Sequence, residues 1–188
     1  MGEPGRNLLV ATSSAKKVAE IRAALPAFLV EQASLDLVEP QGLDVVEVAR
    51  AKAADAFGRL QRPVVVEDTG LEIRSWNGLP GALIKWFYET VGCAGILRMM
   101  HGEADRRAVA RTAIALADAR GVRVAVGERS GEITTTIRGE NGFGFDPIFL
   151  PEGESMTYGE MDLETKSRDS HRTRALAALR VALEAEDR

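Results

Sequence analysis

Apolar residues fall in short bursts along this chain, and their spacing changes from one burst to the next. LLVA at 8–11 is a continuous apolar run, the pattern of a buried strand, and the polar stretch TSSAKK interrupts it. Val18, Ile21 and Leu25 then recur at helical spacing, and Pro26 stops that helix. Residues 29–39 mix polar and apolar positions and read as a second strand. Ala49, Ala53, Ala56 and Leu60 mark the apolar stripe of a helix over 47–60. VVV at 64–66 predicts a strand that ends on two charges, Glu67 and Asp68. WNGLPG at 76–81 is a loop, and residues 82–90 and 93–100 read as helical. Segments 111–116 and 122–126 flank ADARG and predict an antiparallel hairpin. ENGFGFDP is a glycine-rich aromatic loop, and Asp169 or Ser170 can cap a last helix carrying Leu176, Leu179 and Leu183. Strands and helices alternate early and a hairpin follows, which predicts an α/β fold with a mixed sheet.

Length and charge narrow the classes. The 188 residues fit one domain able to bury a core, and no repeat or low-complexity linker divides them. Apolar residues are 45% and charged residues 28%, the balance of a globular protein. The net charge of −4 speaks against stable nucleic-acid binding, so any phosphate grip must come from a few lysines and backbone amides. Cys93 is the only cysteine, which excludes an internal disulfide and a cysteine-based zinc site. No apolar run has the length of a membrane span, and MGEPGRNLLVA lacks the apolar core of a signal peptide, so the expected location is cytoplasmic. Gly2 is not followed by the Ser or Thr of a myristoylation signal, because Arg6 stands there.

Five stretches could carry chemistry. Thr12, Ser13, Ser14 and Lys17 sit where a strand hands over to a helix, an anion-binding arrangement of free amides, hydroxyls and one full charge; a plain helix cap is the simpler alternative. Glu47 and Lys52 are five apart, so spacing does not put them on one helical face, and each alone reads as a solvated charge. Glu67 and Asp68 end a strand, where α/β sheets place their ligand crevices, and buried charges there need a cation or a proton to hold. Asp68-Thr69-Gly70 is also the triplet of aspartic proteases, but it occurs once, and the Ala-rich helices fit that small all-β architecture poorly. Phe143, Phe145 and Asp146 lie in a flexible loop whose rings could stack on a nucleobase or simply enter the core. Lys166, Ser170, His171 and Arg172 are hydrogen-bond donors around a helix start, suited to a carbonyl oxygen or an anion, or else to capping and solvation.

Taken together these blocks resemble the inosine triphosphate pyrophosphatases, the Ham1-like or non-standard purine nucleotide pyrophosphatases. The T-x-x-x-x-K-x-x-E pattern falls on Thr12, Lys17 and Glu20; VEDTGL…GLPGALIKWF spans 66–87; GFGFDPIF and TYGEM…K…SHR follow in order. The resemblance runs over nearly the whole length and implies a single ITPase-like domain over 1–188. It implies an elongated mixed sheet with flanking helices, two lobes around a central cleft, a homodimer and a need for Mg²⁺ or Mn²⁺. The implied reaction is hydrolysis of ITP, dITP or XTP to the monophosphate and pyrophosphate. Carried over residue by residue, Thr12, Ser13, Ser14, Lys17 and Lys52 hold the triphosphate, and Glu47 and Asp68 organise the metal. Asp68 is the candidate base, and Glu67 beside it is expected as a second catalytic group. Thr69, Phe143, Phe145, Asp146, Lys166, Ser170, His171 and Arg172 line the base pocket, with a protonated His171 among the donors. Ser13-Ser14 depart from the family's Gly-Asn, which removes glycine's access to positive φ from the triphosphate loop. A non-catalytic nucleotide-binding regulator of the same fold is the alternative. It would not need Asp68.

Overall fold

The computed structural model describes residues 6–186; the first five residues of the stretch read for a signal, Gly2 among them, lie outside these, as does the side chain of Leu183. The chain runs β1 (Arg6–Ala11), α1 (Ala15–Ala24), β2 (Phe28–Ala33), α2 (Val45–Leu60), β3 (Val64–Ile73) and β4 (Pro80–Gly81). It continues with α3 (Ile84–Met99), β5 (Arg107–Asp118), β6 (Gly121–Ile133), β7 (Phe149–Pro151), α4 (Leu163–Arg168) and α5 (His171–Glu186). The sheet order is β2-β1-β3-β5-β6-β7, with β4 paired to β3. β1 pairs in parallel with β2 and β3, and the other pairings are antiparallel. The mixed α/β sheet is therefore as the pattern predicts.

β1, β5 and β6 run longer than the expected 8–11, 111–116 and 122–126, and the differences in β2 and β3 bear on the site. β2 stops at Ala33 rather than at 39, because its partner β1 ends at Ala11 and leaves residues 34–39 without a ladder. That freed segment crosses the sheet end, with Leu35 and Leu37 packed on the α2 side of the core. β3 does not end on its charges but runs on to Ile73, paired with β5 along its whole length from Val64↔Ala117 to Ile73↔Ala108. Glu67 and Asp68 are thus mid-strand and point to opposite faces. The helical pair expected at 82–90 and 93–100 is one run broken at Gly92, whose φ of 62° and ψ of −178° leave the helix. The short α4 carries no apolar period that could announce it.

Strand alternation builds two cores. Val65 joins β1, α1 and α5 on one face, with Val18, Ile21, Leu176 and Leu179. Val64 and Val66 face α2, against Ala49, Ala53 and Ala56. A third cluster, around Leu71, Ile73, Ile96 and Phe149, fills the far end of the sheet beneath α3. Continuing the same period, Glu67 follows Val65 toward α1 and α5, and Asp68 follows Val66 toward α2.

Candidate active site

A cleft of about 580 Å³ opens over the β1–α1 loop, the middle of β3, α3 and the glycine-rich loop. A smaller pocket of about 130 Å³ adjoins it around Asp68, Lys52 and Glu39, and Lys17 lines both. A larger cavity of about 850 Å³ lies over the distal strands, lined by exposed or half-exposed Arg74, Arg107, Glu132 and Glu154. None of its lining charges is buried, so it lacks the desolvated polar groups that mark a reactive site.

One end of the cleft is the anion loop. Thr12 Oγ1 accepts from Ser14 N–H at 3.1 Å, and Ser14 Oγ accepts from Lys17 N–H at 3.3 Å, so Ser14 is the N-cap of α1. Ser13 is exposed on the rim, and its φ is not positive, so the backbone of this loop does not require a glycine there. Helix α2 buries Lys52 on its alanine stripe and aims its ammonium at Glu39 Oε1 (2.8 Å) and Asp68 Oδ1 (3.1 Å). Burial opposes the charge on Lys52, but Asp68 and Glu39 outweigh it and hold its pKa above the ordinary lysine value.

Asp68 and Glu67 have contrasting surroundings. Burial pushes the Asp68 carboxyl up, only partly countered by Lys52 and Lys17. Its Oδ2 is buried and has no partner. Glu67 is also desolvated, yet Arg172 and Lys17 overcome the burial and hold it well below the usual carboxylate range. Both of its oxygens are taken: Oε2 by Arg172 Nε at 2.6 Å, and Oε1 by Arg172 Nη2 at 3.0 Å and Lys17 Nζ at 2.9 Å. Glu67, expected among the catalytic groups, is therefore spent as a counter-ion and has no affinity for a further proton near neutrality.

The other end gathers the base-side residues. Phe143 N–H donates to Asp146 Oδ2 at 2.7 Å, which also receives Lys166 Nζ at 2.6 Å. Lys166 Nζ further bonds Glu20 Oε1 at 2.8 Å, and Arg172 Nη1 reaches Glu20 Oε2. Lys166 and Arg172 both lie over the Phe143 ring, at 5.0 and 5.4 Å from its centroid. Phe143 is half-buried and available to a ring in the cleft, whereas Phe145 packs into the core against Phe149. Thr69 lines the cleft and bonds Thr112 across the strand pair at 2.9 Å.

Three expectations change. His171 is not a cation: it is fully buried between Phe145 and Tyr158, and burial, with Arg172 and Lys166 nearby, holds its pKa well below 6.5. Ser170 caps α5 by accepting from Thr173 N–H at 3.1 Å and does not line the cleft. Glu47 is exposed on α2 and lines neither the cleft nor the pocket beside Asp68, because its position on the helix faces away from the Lys52 stripe. Glu39 occupies the place expected for it. Glu39 stands in an irregular segment before Pro40, where no periodicity singles it out. Glu20 is a second residue whose part the spacing left open; it lies one helical turn after Lys17, which puts both on one face of α1.

The site is suited to a divalent ion in one specific sense. Among the described residues no group of three or more His, Cys, Asp or Glu could hold a metal by itself. The bare Oδ2 of Asp68 beside Glu39 fits an ion of the magnesium type, which takes one or two carboxylates and completes its shell with water and substrate phosphates.

Comparison with known proteins places the chain in a family. Residues 8–182 match the Ham1 family. The chain is 39% identical to a dITP/XTP pyrophosphatase of Hyperthermus butylicus, covering 93% of each, and 42% identical to one of Pyrobaculum aerophilum, covering 90% of this chain and 92% of that protein. The solved Staphylococcus aureus Ham1 protein superposes with a TM-score of 0.83 at 28% identity, over 96% of this chain and 100% of that one. The motifs, the two-faced strand at the cleft and these relatives converge: the chain belongs to the Ham1 family.

Proposed function

We propose that the protein is a nucleoside triphosphate pyrophosphatase that hydrolyses deaminated purine nucleotides, ITP, dITP and XTP, to the monophosphate and pyrophosphate. The observation that carries the reading is Asp68: a desolvated carboxylate with one oxygen on Lys52 and the other bare, set between a cationic loop and a pocket of donors. Lys17, Lys52 and the amides at the start of α1 receive the triphosphate, and Ser13 and Thr12 add hydroxyls. The raised basicity of Asp68 suits it to take the proton of a water that attacks the α-phosphorus; as the new O–P bond forms, the bond from that phosphorus to the α–β bridging oxygen breaks, and the oxygen departs on pyrophosphate. Asp68 with Glu39 would hold magnesium, or manganese in its place, which supplies neutralisation of phosphate charge when bound.

At the base end, the six-oxo group of hypoxanthine or xanthine meets N–H donors from Lys166 and Arg172, while Phe143 offers its face. Adenine presents an amino group there and leaves those donors unpaired, which costs on the order of 1–3 kcal/mol per group. The deciding experiment incubates the purified protein with ITP and Mg²⁺ and measures pyrophosphate. Pyrophosphate and IMP in equal amounts, abolished by EDTA and far slower with ATP, is the expected result. Orthophosphate as the first product, or turnover indifferent to EDTA, overturns it. The reading extends to a homodimer, as relatedness to the family suggests, and light scattering gives the mass that checks it.

A further inference from the structure

The phosphate grip and the base pocket share one counter-ion. Glu67 Oε1 is bonded to Lys17 Nζ (2.9 Å) and to Arg172 Nη2 (3.0 Å), while Oε2 holds Arg172 Nε (2.6 Å). Lys17 comes from α1 beside the anion loop, and Arg172 from the start of α5 beside the base pocket. The Glu67 side chain is 1% exposed and that of Arg172 2%, so neither can borrow a water in place of the other. Of the five N–H groups on a guanidinium, four are engaged here: Nε and one on Nη2 with Glu67, one on Nη1 with Glu20, and one on Nη2 with Thr69 at 3.4 Å. The remaining N–H, on Nη1, is the one left for a ligand.

We infer that Glu67 is a positioning residue that couples the two halves of the nucleotide: occupation of the phosphate grip raises affinity for the base, and the reverse. This rests on the proposed nucleotide site and goes beyond it. Lys17 is the only one of the three groups with appreciable exposure, 22%, so it is the one a polyphosphate can draw outward. Once Lys17 turns to a phosphate, Arg172 is the one cation left on Oε1, beside the long 3.5 Å hydrogen bond that the Thr69 hydroxyl donates to it. The two-point clamp on Nε and Nη2 then tightens and fixes the plane of the guanidinium, and with it the direction of the free N–H on Nη1. A base carbonyl binding second meets a donor already oriented and loses less in ordering it. By linkage, a base bound first favours release of Lys17 to phosphate by the same factor. The ladder continues through Glu20 to Lys166 and Asp146, whose carboxylate holds Phe143 N–H, so the same network also reaches the stacking loop.

The test uses the two halves of the substrate separately, inosine and inorganic tripolyphosphate, without divalent ion, in isothermal titration calorimetry on the full chain. In the wild type, saturating inosine should tighten tripolyphosphate binding by about 5-fold or more, the lower end of ordinary coupling between sites. Glu67→Gln should bring that factor to within about 2-fold of one. Glu67→Asp keeps the charge and the pairing that folding needs but is one methylene short of spanning both cations, so it should lose the coupling while still binding each fragment. A purely structural role would weaken both fragments in parallel and leave the factor as it was. An unchanged factor in Glu67→Asp, a factor near one in the wild type, or no measurable binding of either fragment overturns the inference. Coupling without pyrophosphate release from ITP would instead sink the proposed activity and leave the coupling standing; release with a factor of one does the opposite.

Discussion

Asp68 and Glu67 are neighbours on one strand, both buried, both carboxylates, and the fold gives them opposite surroundings. Glu67 faces α1 and α5 and meets two cations that fill both of its oxygens. Asp68 faces α2, meets one lysine that it shares with Glu39, and keeps one oxygen bare. Burial penalises both charges, but the partner count decides the sign: Glu67 is held low and Asp68 pushed up. The comparison teaches that a carboxylate near a reaction is not identified as reactive by being buried and charged. It is identified by having unspent lone pairs.

The strongest way to break the comparison is to remove each charge in turn. Glu67→Gln leaves the fully buried Arg172 with only Glu20 and Thr69 and leaves Lys17 facing an amide. Breaking a buried ion pair from one side costs about 3–5 kcal/mol, so urea denaturation should show a loss of that order. Asp68→Asn should do the reverse: kcat should fall about 10²-fold or more while the melting temperature hardly moves, since Lys52 keeps Glu39. If Asp68→Asn were as destabilising as Glu67→Gln, or kept most of its activity at saturating metal, the division of labour on β3 would be wrong.

A smaller effect sharpens the Glu67 side. His171 lies under the same cations, buried and neutral, its pKa held well below the ordinary 6.5. Below about pH 6.5 the unfolded chain takes up a proton that the folded chain refuses, so unfolding binds a proton and stability falls with falling pH. The slope from this one group approaches about 1.4 kcal/mol per pH unit once the unfolded imidazole is fully charged. Chemical denaturation between pH 7 and 5 should show it, and His171→Asn should flatten the curve in that window; the same slope in the variant would place the proton elsewhere.

How much of this was legible in the sequence depends on whether a feature has a period. β1, α1, α2 and the β5–β6 hairpin follow from apolar spacing, because each buries one face against the sheet. The length of β3 did not, since two charges look like an end until their counter-ions arrive from α1, α2 and α5, more than 100 residues apart in the case of Arg172 and Glu67. The donors at 166–172 are legible in the sequence as a cluster, but their state is not: whether His171 carries a charge depends on Phe145 and Tyr158 closing over it, and whether Ser170 serves a ligand or a helix depends on where α5 begins.

Glu39 and Glu47 give the last and smallest contrast, and the one where the local reading of Glu47 as a solvated charge and the metal role implied by the resemblance part ways. Glu47 lies at the start of an obvious helix, one residue before the buried Val48, and its carboxylate goes to solvent. Glu39 lies in a stretch without pattern, yet the short β2 frees that stretch to lay its carboxylate against Lys52, with Lys85 at 3.6 Å on the other oxygen. If Glu39 shares an ion with Asp68, Glu39→Gln should raise the Mg²⁺ concentration needed for half-maximal activity by about 10-fold or more, since losing a direct ligand costs at least as much as losing an outer partner of a metal site. Its effect at saturating Mg²⁺ should be smaller, because Asp68 remains. Glu47→Gln should leave the Mg²⁺ titration within about 2-fold of the wild type, as surface substitutions away from a site do. The titration reverses the assignment if Glu47→Gln shifts the Mg²⁺ midpoint and Glu39→Gln does not, and α2 would then have to turn its first helical turn toward the cleft when nucleotide binds.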